Sequence, residues 1–229
     1  MKNSESKKKR YVLPGDVITT APLRLRANVT LEGKRILSTA IGLTDVSYDS
    51  VRVIPLSGIY LPKVDDLVIG MIKYIHGNSW FADINSCYEG MLLAKDVFGR
   101  GSNATLGEMK ASLDKSDLIL ARIANSDRTR EPLLSISGQN LGKIDYGELV
   151  KISPTKIPRL IGKHGSMIQT IESSTNATIT IGQNGLIVVS SDETNGLLKA
   201  LAAIRMVEEQ AHLADLTDQV KKMLGLNGV

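Results

Sequence analysis

Lys163 and His164 stand between Gly162 and Gly165 in the stretch Lys156-Ile157-Pro158-Arg159-Leu160-Ile161-Gly162-Lys163-His164-Gly165-Ser166-Met167-Ile168. Glycines at that spacing let a short turn adopt dihedrals closed to residues with a Cβ and bring backbone N–H groups close to a ligand. The two side chains between them add cationic or hydrogen-bonding groups. Downstream, Met167, Ile168 and Ile171 recur at helical spacing and Ser166 is suited to cap them, so the turn opens a helix. A helix N-terminus offers unpaired N–H donors and the positive end of a dipole, so the chemistry is that of a phosphate clamp. A lone G-x-x-G is a weak signal, and its surroundings must decide.

A second set of candidates is aromatic and basic. Trp80 and Phe81 are adjacent, with Lys73, Tyr74, Arg100, Arg122 and Arg128 in the same region. Aromatic faces and cations alternating along strands are what single-stranded nucleic acid requires, since bases stack and the backbone tracks positive charge. Strand alternation puts one of Trp80 and Phe81 toward the core and the other outward.

Other chemistry finds little support. The single cysteine, Cys87, excludes an intrachain disulfide, and His76, His164 and His212 lie too far apart in sequence to suggest a metal site, so no metal or other cofactor is expected. Nuclease chemistry needs clustered carboxylates holding metals, whereas Asp65-Asp66, Asp114, Asp117 and Glu208-Glu209 are scattered. Ser102, Cys87 and His76 form no nucleophile and base pattern, so the chain is not expected to be an enzyme. No apolar run approaches the ~20 residues of a membrane span, and the basic N-terminus lacks a signal peptide's apolar segment; a cytoplasmic protein is expected.

The elements that must hold these residues follow from patterning. The 229 residues, 42% of them hydrophobic, suffice for two or three small domains, and with 4% aromatic residues the cores must be aliphatic. A charge of +4 and a pI of about 9.1 suit a polyanionic partner. Residues 1–10 are lysine-rich and apolar-poor, a tail expected to be disordered alone. Residues 11–62 show short β-type runs, Val17–Thr19, Arg35–Thr39 and Ser50–Ile54, between turns, a small β unit expected to lean on a neighbour or a partner chain. Residues 63–140 carry five strands, the first long, with a polar connection from Ala94 to Asp117 before the fourth; this suits a closed Greek-key barrel of the OB type. Residues 145–215 read as strand, short helix, glycine loop, helix, a hairpin around Gly182-Gln183-Asn184-Gly185, and a long helix beginning near Asp192 or Thr194. Residues 216–229 are left as a tail. The fold class is therefore multi-domain, mainly β and then α/β.

The last order resembles a type I KH domain, βααββα, whose G-x-x-G loop clamps the backbone of about four nucleotides. Gly162, Lys163, His164 and Gly165 match the loop, and Ile161 is the aliphatic residue before it. Lys156 and Arg159 join the candidate contacts from the same stretch. The resemblance implies a groove walled by Ile157, Leu160 and Ile161 on one side and by Thr178 to Ile181 on the other. His164 departs from the small or basic residue common there. The barrel is similar to the OB-type motif of a small-subunit ribosomal protein, through Val68-Ile69-Gly70-Met71-Ile72 and Gly90 to Leu93.

Together with Val12-Leu13-Pro14-Gly15-Asp16-Val17-Ile18, Leu37-Ser38-Thr39-Ala40-Ile41-Gly42-Leu43 and Pro55-Leu56-Ser57-Gly58-Ile59-Tyr60, the order of parts resembles the RNA-binding cap subunits of the archaeal exosome, the ribosomal RNA-processing protein four family. That resemblance implies a non-catalytic subunit, three copies capping a ring of RNase PH-like subunits that degrade RNA 3′ to 5′. The cap would bind single-stranded RNA and feed its 3′ end to the pore, while the N-terminal unit docks on the ring. The alternative is a free-standing OB and KH protein of translation or ribosome maturation.

Overall fold

The structure, a computed structural model, describes residues 10–99, 101, 104–127, 129–211 and 216–225. The chain divides into two compact units, one ending at Gly58 and the other beginning at Ile59. Among the described residues no helix is long and apolar enough to cross a membrane.

The first unit is built from short strands because its apolar runs are short and broken by turn residues. They are β1 (Tyr11–Val12), β2 (Val17–Thr19), β3 (Arg24–Leu25), β4 (Val29–Glu32), β5 (Arg35–Ser38), β6 (Gly42–Val46) and β7 (Ser50–Pro55). They form two sheets, ordered β1-β6-β7-β3 and β2-β5-β4. Glu32 pairs with Arg35 around Gly33, whose φ of 60° permits so tight a hairpin. The buried apolar core is thin, consisting of Val12, Ile36, Val51 and Val53, while Tyr11, Leu13, Leu31, Ile41 and Tyr48 are exposed. Three runs were expected as strands; β1, β3, β4 and β6 are added, the first two of only two residues and held by pairing rather than by pattern.

Tyr60, which was expected in the first unit, belongs to the second. Its ring is buried among the barrel's core residues and its hydroxyl donates to Asp66 at 2.7 Å. The barrel strands are β8 (Leu67–His76), β9 (Ser79–Asp83), β10 (Glu89–Leu93), β11 (Leu118–Asn125) and β12 (Leu133–Ser135). Their order β12-β10-β9-β8-β11 closes because β12 also pairs with β11, and a further strand, β13 (Gly142–Ile144), extends β11. Val68, Ile72, Trp80, Ala82, Ile84, Leu92, Ile119, Ala121, Ile123 and Leu134 fill the interior.

The connection from Ala94 to Asp117 holds two helices, α1 (Ala94–Phe98) and α2 (Leu106–Ser112), where none was expected. Thr105 and Glu108 make a reciprocal capping box at the start of α2, and Met109 and Leu113 join the barrel core. The helix thereby closes one side of the barrel interior.

The remaining chain has the order β14 (Glu148–Lys151), α3 (Ile157–Ile161), α4 (Ser166–Thr175), β15 (Thr178–Ile181), β16 (Leu186–Ser190) and α5 (Thr194–Glu209), the βααββα of a type I KH domain. Its antiparallel sheet runs β14-β16-β15. Residues 216–223, expected in a tail, form a further helix, α6 (Leu216–Met223), whose Leu216 and Val220 are buried in the same core as Ile171, Ile204 and Val207.

Barrel and KH domain are packed together through β16. Ile187 and Val189 face the KH helices, whereas Leu186 and Val188 cluster with Ile69, backed by Leu118, Leu120 and Ile144 of the barrel side. A strand covered on both faces reads as a continuous apolar run, which Leu186-Ile187-Val188-Val189 is. The hairpin turn before it completes the joint. The pairing of β8 with β9 ends at Met71 and Asp83, so Leu67 and Ile69 have no β9 partner. The turn takes its place: Gln183 N–H donates to the Leu67 carbonyl at 2.7 Å, and Leu67 N–H donates to Gln183 Oε1 at 3.1 Å. Asn184, fully buried, donates through Nδ2 to the carbonyls of Ile69 at 2.7 Å and Ile84 at 2.9 Å. Its Oδ1 accepts from Ile69 N–H at 3.3 Å.

Candidate nucleic-acid interface

The loop between α3 and α4 is shaped by its backbone. Gly162 has φ 73° and ψ −177°, and a Cβ there would lie 2.8 Å from both the nitrogen and the Cβ of Met167. Only glycine fits. His164 (φ 53°, ψ 31°) and Gly165 (φ 82°, ψ 5°) are both left-handed, so the chain reverses within four residues and presents Lys163 and His164 to solvent. Ser166, expected as the cap of the next helix, is its first residue; the N-cap position falls on Gly165, with no side-chain cap bond. No N-cap side chain therefore covers the first turn of α4, and a helix start of that kind is suited to an anion.

Around the loop the candidates separate. Arg159 is exposed on α3 beside the loop, and Ile161 is half-buried. Lys156 is half-buried and its ammonium donates to the Glu208 carbonyl near the end of α5 at 2.6 Å, so it serves the helix terminus rather than the loop. Ile157 and Leu160 were expected in the groove wall but are core residues, packed with Met167, Ile171 and Ala203. Of that wall Ile161 and Ile181 remain, both half-buried against the helix-side core, whereas Thr178 and Thr180 point to the opposite face of β15, beside Leu120 and Ile144 of the barrel side.

On the barrel, Trp80 leaves the set of stacking candidates. It is fully buried and its indole N–H donates to the Leu113 carbonyl at 2.9 Å. Phe81, its neighbour, faces outward and stacks on Tyr74 with ring centroids 5.0 Å apart and planes 12° from parallel. A register slip in β8 between Ile72 and Tyr74 accounts for this face, since it exposes Lys73 and Tyr74 together where strict alternation would turn one inward. Met91 stands opposite Phe81 on β10, widening the apolar platform. Lys73 pairs with Glu89 at 2.6 Å, and the Tyr74 hydroxyl donates to the other Glu89 oxygen at 2.7 Å. These contacts hold the Glu89 carboxyl below the usual carboxylate range, Lys73 contributing most and Tyr74 next, and push the Tyr74 hydroxyl and the Lys73 ammonium up. Arg122 is exposed on β11 and donates to the Asp65 carbonyl at 2.8 Å. Arg100 and Arg128 lie outside the described residues.

Sequence reasoning missed Glu89, because a carboxylate is not a phosphate ligand. It also missed the burial of Asn184, whose partners Ile84 and Ile69 are 100 and 115 residues away.

Fold and geometry thus define a chain that carries an OB-type barrel joined to a KH domain. A KH domain family profile matches residues 147–206. The exosome complex component Rrp4 of Nitrosopumilus maritimus is 59% identical over 221 residues, covering 96% of this chain and 98% of that protein. Rrp4 of Thermosphaera aggregans is 40% identical over 197 residues, 86% of this chain and 79% of that one. A solved crystal structure of a protein described as an exosome complex RNA-binding protein aligns with a TM-score of 0.69 at 37% identity, over 74% of this chain and 97% of its own. The chain belongs to the Rrp4 family.

Proposed function

We propose that this chain is a non-catalytic, cytoplasmic RNA-binding subunit of an exosome. Three copies would cap a ring of RNase PH-like subunits, bind single-stranded RNA and pass its 3′ end to the pore for 3′-to-5′ degradation. The observation that carries the RNA-binding part is the presence, in one compact unit, of the exposed Gly162–Gly165 loop and the stacked Tyr74–Phe81 face. The loop supplies donors for phosphates, and the barrel face supplies rings for bases. The names of the relatives support the assembly. Support for docking through the first unit comes from its thin core and its exposed Tyr11, Leu13, Leu31, Ile41 and Tyr48, the last 99% exposed.

The experiment mixes the purified chain with a ring of RNase PH-like subunits and measures the mass of the product by light scattering after gel filtration. Three chains per ring are expected, and the charge substitution Tyr48→Asp together with Leu31→Asp should reduce incorporation. A chain that binds single-stranded RNA but never joins the ring would instead favour a free-standing OB and KH protein.

A further inference from the structure

Glu89 sits where the barrel's proposed RNA face changes from aromatic to charged. It begins β10, directly opposite Asp83 of β9, and its two carboxylate oxygens have different partners. One is 2.6 Å from the Lys73 ammonium, and the other accepts the Tyr74 hydroxyl at 2.7 Å. The second bond fixes the far end of the Tyr74 ring, whose face lies against Phe81. The first bond neutralises the cation nearest to that stack. Asp83 also acts on Lys73, and Glu131, whose carboxylate accepts from the Glu89 N–H at 3.2 Å, also acts on Tyr74. The stacked pair thus has one ammonium and three carboxylates around it.

We propose that Glu89 is a positioning and specificity-determining residue of this face: it holds Tyr74 in its stack with Phe81 and cancels the charge of Lys73, so that the barrel grips bases by their faces and leaves phosphates to the KH loop. The proposal rests on the reading that this face binds RNA. It gives the two halves of the unit different tasks. A carboxylate beside a phosphate track costs affinity, so its placement against the cation best suited to that track selects for stacking. The orientation of Tyr74 matters because offset stacking requires a ring held at a defined angle.

The test uses the full chain and salt titrations of binding to a single-stranded oligoribonucleotide and to an abasic oligomer of the same length. Glu89→Gln keeps an acceptor for the Tyr74 hydroxyl but removes the charge. It should tighten binding to both oligomers by about threefold, the scale of one exposed ion pair, and steepen the salt dependence by about 0.7, the contribution of one phosphate contact. In a Lys73→Gln background the same substitution should leave the salt slope unchanged, since no cation is freed to meet a phosphate. Glu89→Ala, which also frees Tyr74, should lower the ratio of RNA to abasic affinity. An unchanged salt slope in Glu89→Gln, the same change in the Lys73→Gln background, or an unchanged ratio in Glu89→Ala, with circular dichroism showing intact folds, overturns the proposal. A parent chain that binds neither oligomer at low salt overturns the RNA reading itself, a result distinct from all of these.

Discussion

The KH domain contains the spacing G-x-x-G twice, and the two copies have opposite fates. In Gly162-Lys163-His164-Gly165 the middle residues project into solvent from a loop whose φ is positive at three of four positions. In Gly182-Gln183-Asn184-Gly185 the turn is inserted against the barrel, and Asn184 completes hydrogen bonding along the end of β8 that β9 does not reach. Both need their first glycine for close approach. A Cβ at Gly162 would strike the start of α4, and one at Gly182 would come within 2.8 Å of the Ile69 nitrogen and collide with the Asn184 side chain. Glycine spacing therefore reports that a backbone must come close to something. The residues between report what that something is: cationic side chains suit a solvated anion, while amides, which donate and accept at once, suit the backbone of another strand.

The largest effect is expected at the buried copy. Asn184→Ala leaves the carbonyls of Ile69 and Ile84 and the N–H of Ile69 without these partners inside the joint. At about 1–3 kcal/mol for each unsatisfied buried group, partly offset by relaxation, we expect a loss of about 3 kcal/mol. Urea unfolding followed by the fluorescence of Trp80, the chain's single tryptophan, reports on the barrel directly. A loss below about 0.5 kcal/mol would mean that the turn merely rests on the barrel.

Next in size is Gly162→Ala, which should cost about 2 kcal/mol, because the residue would be held in a backbone region reserved for glycine and crowded by Met167. RNA affinity should fall with it by about tenfold, since a relaxed loop no longer presents its donors together. Asn184→Ala, by contrast, should leave the affinity of the folded protein for short RNA within about twofold, as it touches neither loop nor stacking face.

Much of this architecture was legible from periodicity. The βααββα order and the five barrel strands follow from runs whose alternation, glycines and capping residues agree locally. What escaped was non-local. The turn at Gly182–Gly185 reads as an ordinary hairpin, and the run Leu186–Val189, apolar without interruption, was the sign that both faces of β16 are covered. Alternation could say that one of Trp80 and Phe81 faces inward, but the choice depends on the pairing of β9 with its neighbours and on the slip in β8. The helix α2 was announced by Thr105-Leu106-Gly107-Glu108, a capping box whose apolar follow-up is short. Lys156 looked like part of the loop because sequence proximity hides the helix terminus it reaches across 52 positions.

The central claim is that the exposed copy, and not the buried one, meets RNA phosphates. Its most direct test is the salt dependence of single-stranded RNA binding by the full chain carrying Lys163→Asp and His164→Asp. The account predicts a fold as stable as the parent within about 0.5 kcal/mol, since both side chains are exposed. It also predicts affinity lowered at least tenfold and a salt slope shallower by at least about 0.7, the loss of the Lys163 phosphate contact. An affinity and slope equal to the parent's would contradict it and remove the loop from the RNA path.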